Sequence, residues 1–173
     1  MEINIKKYRT ERWYHRQFPS FFEDKIRIED FDTWSMDHTL ALIILPMLKQ
    51  LKETKQGAPY VYPEDVPSEL RPTKKEQKAY TTKGDVDDKF FERWDWVIEE
   101  MIFAFESKHN DWEEQFVSGE TDIQWIDLPN GMSEMFEGPN NTFEIDFEGR
   151  AVYQERISNG FRLFGKYYEN LWD

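Results

Sequence analysis

The nine residues from Leu40 to Leu48 include Leu40, Leu42, Ile43, Ile44, Leu45, Met47 and Leu48, with Pro46 inside the run. At about 100° per residue, these side chains point to every side of a helix. A helix apolar all round is normally one that others cover. The run therefore predicts a buried central helix over about 35–54, capped by Asp32, Thr33 or Ser35. Lys49, Gln50, Lys52 and Glu53 return it to solvent, and Gly57 is the expected stop. Proline removes one backbone bond and crowds the preceding turn, so a kink or break is expected at Pro46. The run is too short to cross a bilayer, which takes about 20 apolar residues.

Two further helices follow from spacing. Phe90, Phe91, Trp94, Val97, Ile98, Met101, Ile102 and Phe105 recur at steps of three and four, predicting a helix over about 87–108. Asp88, Glu92, Asp95, Glu99 and Glu106 fall on its opposite stripe. Tyr153, Ile157, Phe161, Phe164, Tyr168 and Leu171 predict a third helix over about 150–171, with Gly160 on the same face. A glycine there admits a neighbouring backbone, at about 1 kcal/mol of helix propensity.

The strand signals are shorter. Ile3 with Ile5, and Ile26 with Ile28, alternate with polar residues and predict two half-buried strands. Between them, Trp13 to Phe22 reads as an irregular aromatic connection. Residues 57–85 hold Pro59, Pro63, Pro67 and Pro72 and read as a long surface loop, with one short helix around Thr73–Tyr80. Asp122 to Asp127 is a candidate strand, Pro129-Asn130-Gly131 a turn, and Asn140-Asn141 another. Thr142 to Glu148 alternates most cleanly of all. The fold class predicted is α+β, mainly helical: three principal helices around a buried central helix, with a small antiparallel sheet of short strands. A chain of 173 residues favours one globular domain over 1–173.

Charge is uneven. Residues 1–84 carry 13 acids and 15 bases, residues 85–149 carry 19 acids and 3 bases, and residues 150–173 carry 3 acids and 4 bases. The excess behind the net charge of −13 therefore lies in the middle. Such a field repels nucleic acid and membrane surfaces and attracts basic partners, besides keeping the chain dissolved. No cysteine is present, which removes disulfides and thiolate chemistry. Met1 to Lys7 lacks the apolar run of a secretion signal. A cytoplasmic protein without a membrane span is expected.

Four stretches carry a resemblance. They are Asp32-Thr33-Trp34-Ser35-Met36-Asp37-His38 running on to Lys49; Gly57-Ala58-Pro59 with Glu64-Asp65-Val66-Pro67; Trp94-Asp95-Trp96-Val97 running on to Ile102; and Arg156-Ile157-Ser158-Asn159-Gly160 running on to Tyr168. Together they resemble a family of uncharacterised proteins from tailed bacteriophages. The resemblance implies a phage origin and action in the cytoplasm of an infected bacterium. It assigns no residue a role.

The candidate sites are few. Asp37 and His38 stand in the first turn of the Leu40–Leu48 helix, where an acid suits the helix dipole. A His beside an Asp is either a polar contact or a general base. Arg156, Asn159, Arg162 and Lys166 lie together on the third helix. Arg suits forked recognition of phosphate or carboxylate, and Arg162 and Lys166 repel each other at i, i+4 unless an acid or an anionic ligand intervenes. With Trp34, whose ring can stack on a base, these form the candidate ligand-binding set. Glu92, Asp95 and Glu99, at i, i+3 and i+7, form a candidate divalent-metal set or else a solvated stripe. No phosphate loop, zinc signature, nucleophile elbow or basic nucleic-acid patch is present.

Three functions follow, in order. The first is a non-catalytic binding protein that sequesters a small anionic, nucleotide-type defence signal or a basic host protein. The second is a structural or assembly protein acting through homo-oligomerisation, with Gly160 in the interface. The third is a Mg²⁺-dependent nucleotide hydrolase using the Glu92, Asp95 and Glu99 stripe. No catalytic residue and no cofactor are predicted outside the third, and no direct contact with nucleic acid.

Overall fold

Strands β1 (Glu2–Asn4) and β2 (Lys25–Arg27) pair antiparallel, with Ile3 opposite Ile26. They are followed by helices α1 (Met36–Thr54), α2 (Lys74–Lys83) and α3 (Phe90–Glu106). Strands β3 (Val117–Ser118), β4 (Ile123–Asp127), β5 (Ser133–Glu137) and β6 (Glu144–Ile145) lead into helix α4 (Phe147–Lys166). This computed structural model describes residues 2–4 and 25–172. The expected connection from Trp13 to Phe22, with His15, lies outside the described residues. The α+β, mainly helical class holds. The chain forms two compact units, 1–42 and 43–173, and the boundary falls within α1.

The larger unit is built on α3 against α4. Phe90, Trp94, Val97, Ile98, Met101, Ala104 and Phe105 are buried along α3, matching the three- and four-residue steps of the sequence. Helix α4 answers with Ile157, Gly160 and Leu163, followed by buried Tyr167. Rings fill the seam: Phe105 meets Phe161 and Phe164 edge-on at 5.1 and 5.0 Å, and Trp94 meets Tyr167 at 5.7 Å. Gly160 is what lets the two backbones close. A Cβ there would stand 2.3 Å from the Glu100 carbonyl oxygen and 2.6 Å from Ala104 Cβ.

The buried central helix is therefore α3, and the expectation that Leu40–Leu48 fills that place is corrected. Within this stretch only Ala41 and Leu48 are buried, while Leu40, Leu42 and Met47 are exposed. An all-round apolar run states how much area a helix can bury, not how much its neighbours cover. Three ion pairs tie the end of α1 and the residue after it to α3. Lys49 pairs with Glu106 and Lys52 with Glu99, each at 2.6 Å, and Lys55 pairs with Asp95. Nor does Pro46 break α1, which runs through it. Pro46 and Leu42 both lie on the exposed side of the helix, where a carbonyl left without its helical donor has water at hand.

Residues 57–85 carry the short helix expected around Thr73–Tyr80, now α2, but part of the segment ahead of it packs inward rather than lying on the surface. Val61, Asp65 and Val66 are buried, and two short 3-10 turns (Pro63–Asp65 and Ser68–Leu70) lead to α2. Helix α2 starts at a reciprocal cap between Thr73 and Glu76 and stops at Gly84. Arg93, almost fully buried, fastens this strap by donating to the Leu70 carbonyl at 2.9 Å and pairing with Asp87. The long strand expected over 142–148 shrinks to Glu144–Ile145, because Asp146 accepts the Gly149 amide and caps α4 instead.

Candidate functional site

Two regions of the 43–173 unit gather polar chemistry. The first centres on Asp65, whose side chain is 1% exposed. Arg162 Nη1 donates to one carboxylate oxygen at 2.8 Å. The other oxygen takes Lys166 Nζ at 2.5 Å and the Tyr167 hydroxyl at 2.7 Å. The Tyr167 oxygen in turn accepts the Tyr62 amide at 3.0 Å. Burial alone would raise the Asp65 pKa, but hydrogen bonds from Lys166, Tyr167 and Arg162 outweigh it and hold the carboxyl below its ordinary range. Burial, reinforced by that carboxylate, pushes the Tyr167 phenol far above its ordinary value.

This cluster accounts for most of the cations singled out on α4. Arg162 also donates from Nε and Nη2 to Asn159 Oδ1. Arg156 forks onto Glu100, with Nη2 2.7 Å from one oxygen and Nε 3.1 Å from both, and its guanidinium lies 3.8 Å from the Phe103 ring centre. So α4 does bring Arg156, Asn159, Arg162 and Lys166 to one helix, but carboxylates of the chain already engage the three cations. The arrangement locks the 62–66 strap to α4 and presents no nucleophile or free base.

The other predicted residues are not brought into a site. In the 1–42 unit Trp34 is 84% exposed, and His38 Nε2 lies 3.7 Å from Asp37, both well exposed. On α3, Asp95 and Glu99 are held by Lys55 and Lys52, while Glu92 is exposed. Among the described residues no group of three or more Asp, Glu or His is placed to hold a metal ion. No described helix is long and apolar enough to cross a membrane.

The second region is the arm formed by residues 117–145. β3 pairs with β6, and beyond them β4 pairs with β5 in a hairpin turned at Leu128–Gly131, where Gly131 has φ +80°. All ten residues of β4 and β5 are exposed. By the alternation of a strand, Ile123, Trp125 and Asp127 share one face with Ser133, Met135 and Glu137, and Trp125 stands opposite Met135. The other face carries Gln124, Ile126, Glu134 and Phe136. Trp125 is 65% exposed, Met135 56% and Ile126 53%.

Residues 111–149 contain eleven acids and no Lys or Arg. Elsewhere in this unit Asp65, Asp87, Asp95, Glu99, Glu100 and Glu106 are held in ion pairs. On the arm, Glu120, Asp122, Asp127, Glu134 and Glu137 have no basic partner among the described residues. At its base, a concavity of about 560 Å³ continues this character, with Phe116, Val117, Glu144, Phe147 and Glu148 in its lining.

The arm is anchored at a built neck. Asp122 and Thr142 hold it: the Gly138 amide donates to the Asp122 carbonyl at 2.8 Å, the Asn140 amide to the Asp122 carboxylate at 3.0 Å, and the Glu120 amide to Thr142 Oγ1 at 3.0 Å. Gly119, at φ +77°, passes so close to the Thr142 carbonyl that no Cβ fits. A Cβ at Gly138 would stand 2.2 Å from the Asp122 carboxylate. Gly138→Ala is therefore expected to displace that carboxylate and cost about 1 kcal/mol locally. Amides of 123–137 should then exchange faster while the melting of the helices stays put; unchanged exchange would show the neck does not hold the arm.

No protein-family model matches this chain, and neither a curated protein nor a solved structure matches it.

Proposed function

We propose that this protein is a non-catalytic binding protein whose acidic arm captures a basic protein partner in the cytoplasm of an infected bacterium. The single observation behind the reading is the β4–β5 hairpin: every strand residue is exposed, its carboxylates have no cation among the described residues, and Trp125, Ile126 and Met135 stand in solvent. A two-stranded hairpin gains little stability alone. Large exposed rings beside unpaired carboxylates suit a surface that is covered when a complex forms. The carboxylates speed the encounter with a basic surface, and the apolar centre supplies the holding energy.

The small-anion alternative draws less support, because Arg156, Arg162 and Lys166 are engaged within the chain. The assembly alternative also weakens, because Gly160 is used up in the α3–α4 seam.

Basic amphipathic peptides of net charge about +4 test the reading, set against neutral peptides of equal apolar content. Only the basic set should bind, and less tightly as salt rises. Trp125→Ala with Met135→Ala should weaken binding about tenfold or more, as loss of a central anchor does. Asp127→Asn with Glu134→Gln and Glu137→Gln should flatten the salt dependence. Equal binding of both peptide sets, or indifference to all five substitutions, would refute the arm as the binding surface.

A further inference from the structure

Resting on that reading of the arm, we infer that the partner docks as a third β-strand along the outer edge of β5, offering the pattern basic, apolar, apolar, basic. The backbone phase of the hairpin carries the inference. The Leu128 amide donates to the Met132 carbonyl, and the Gly138 amide to the Asp122 carbonyl. In an antiparallel pair the bonded residues alternate with non-bonded ones. The bonded pairs are therefore 122 with 138, 124 with 136, 126 with 134 and 128 with 132. The intervening residues Ser133, Met135 and Glu137 turn their N–H and C=O groups away from β4. β5 has no partner other than β4 among the described residues, so three donors and three acceptors stand open along one edge.

Open edges of this kind recruit strands unless the protein blunts them. The blunting here is selective. Glu134 and Glu137 project to opposite faces of the hairpin, while Met135 and Phe136 between them are 56% and 38% exposed. A second copy of β5 added parallel and in register would set Glu134 against Glu134 and Glu137 against Glu137, and one added antiparallel about Met135 would set Glu134 against Phe136 and Glu137 against Ser133, so neither gives a glutamate a cation. An added strand with a cation opposite each glutamate and apolar residues between satisfies both faces. The outer edge of β4 offers Ile123, Trp125 and Asp127 with a single carboxylate, so it selects less for charge. Main-chain bonds would give affinity, and the alternating side chains specificity.

The probe is a peptide of about ten residues with arginine, valine, valine, arginine at its centre. Its control is the same peptide N-methylated at alternate central residues, which removes donors without changing charge. The full chain should bind the first at least about tenfold more tightly than the control. Hydrogen exchange should then slow at the amides of Ser133, Met135 and Glu137, and not at Ile123, Trp125 or Asp127. Ser133→Pro, which removes an outward N–H without breaking the β4 ladder, should also weaken binding. Equal binding of both peptides with the edge amides still exchanging overturns strand addition while keeping a basic partner held by side chains. Protection at the β4 amides instead moves the site to the wrong edge and overturns it as stated. If neither peptide binds, both this inference and the reading beneath it are overturned.

Discussion

Gly160→Ala is expected to destabilise the helical unit by about 2 kcal/mol or more, although alanine is the better helix former. The reason is steric and local. The new methyl would meet the Glu100 carbonyl oxygen at 2.3 Å and Ala104 Cβ at 2.6 Å. The first neighbour is backbone inside α3 and cannot rotate away, so the helices must separate and loosen the ring contacts of Phe105 and Trp94. Gly165→Ala, on the same helix with nothing within 4 Å, should instead stabilise by about 0.5–1 kcal/mol. The pair separates packing from propensity, since both changes add the same group to the same helix. Ala104→Gly should relieve Gly160→Ala only in part, because the Glu100 oxygen remains. Denaturant midpoints measure all three. A Gly160→Ala midpoint at or above the parent's would mean the helices do not touch there.

How much of this was legible in the sequence depends on the range of each interaction. Helices α3 and α4 were readable because the three- and four-residue steps of their rings state which face is buried. Residues 122–127 and the turn at Pro129-Asn130-Gly131 were readable as a strand and its end. β5 was not. Ser133-Glu134-Met135-Phe136-Glu137 lacks alternation and has weak strand formers. It is a strand because the turn folds it back onto β4. Thr142–Glu148 shows the opposite error: its pattern alternates, yet a single cap at Asp146 turns most of it elsewhere.

The arm shows the same limit for function. Its charge was visible as eleven acids without a base, but charge alone did not separate acids that pair from those that do not. Asp95, Glu99 and Glu106 looked like part of a solvated stripe, with Glu92, Asp95 and Glu99 as a metal set. Asp95, Glu99 and Glu106 are the acidic half of a ladder whose other half, Lys49 and Lys52 on α1 and Lys55 just after it, sits about 50 residues away. Once those pairs are accounted for, the hairpin stands out as a place where negative charge and exposed rings coincide. Its aromatic content was plain in the sequence, but not that Trp125 and Met135 face solvent rather than the core.

Asp65→Asn is expected to cost about 2–3 kcal/mol at neutral pH and less as the solution is acidified. Breaking a buried ion pair costs about 3–5 kcal/mol, and partial exposure of the cations reduces that. Arg162 and Lys166 keep 49% and 31% of their side chains exposed, so water recovers part of the loss. Tyr167 is buried and loses the acceptor for its hydroxyl. The acid dependence follows from the direction of the carboxyl's shift. A carboxyl held below its ordinary value of 3.8 stabilises the fold above that pH, and the stabilisation fades as pH falls through the lower, folded value. Parent and variant should therefore differ most near neutrality and converge in strong acid. Thermal melts from about pH 7 down to about pH 2 would show the gap closing, from roughly 5–10 °C at the upper end. The i, i+4 repulsion of Arg162 and Lys166 pointed to an anion between them. The structure supplies it from a residue 97 positions upstream of Arg162, a distance no local pattern spans. A gap that stayed constant with pH would mean Asp65 acts through its shape rather than its charge, and would return those two cations to the candidates for an external anion.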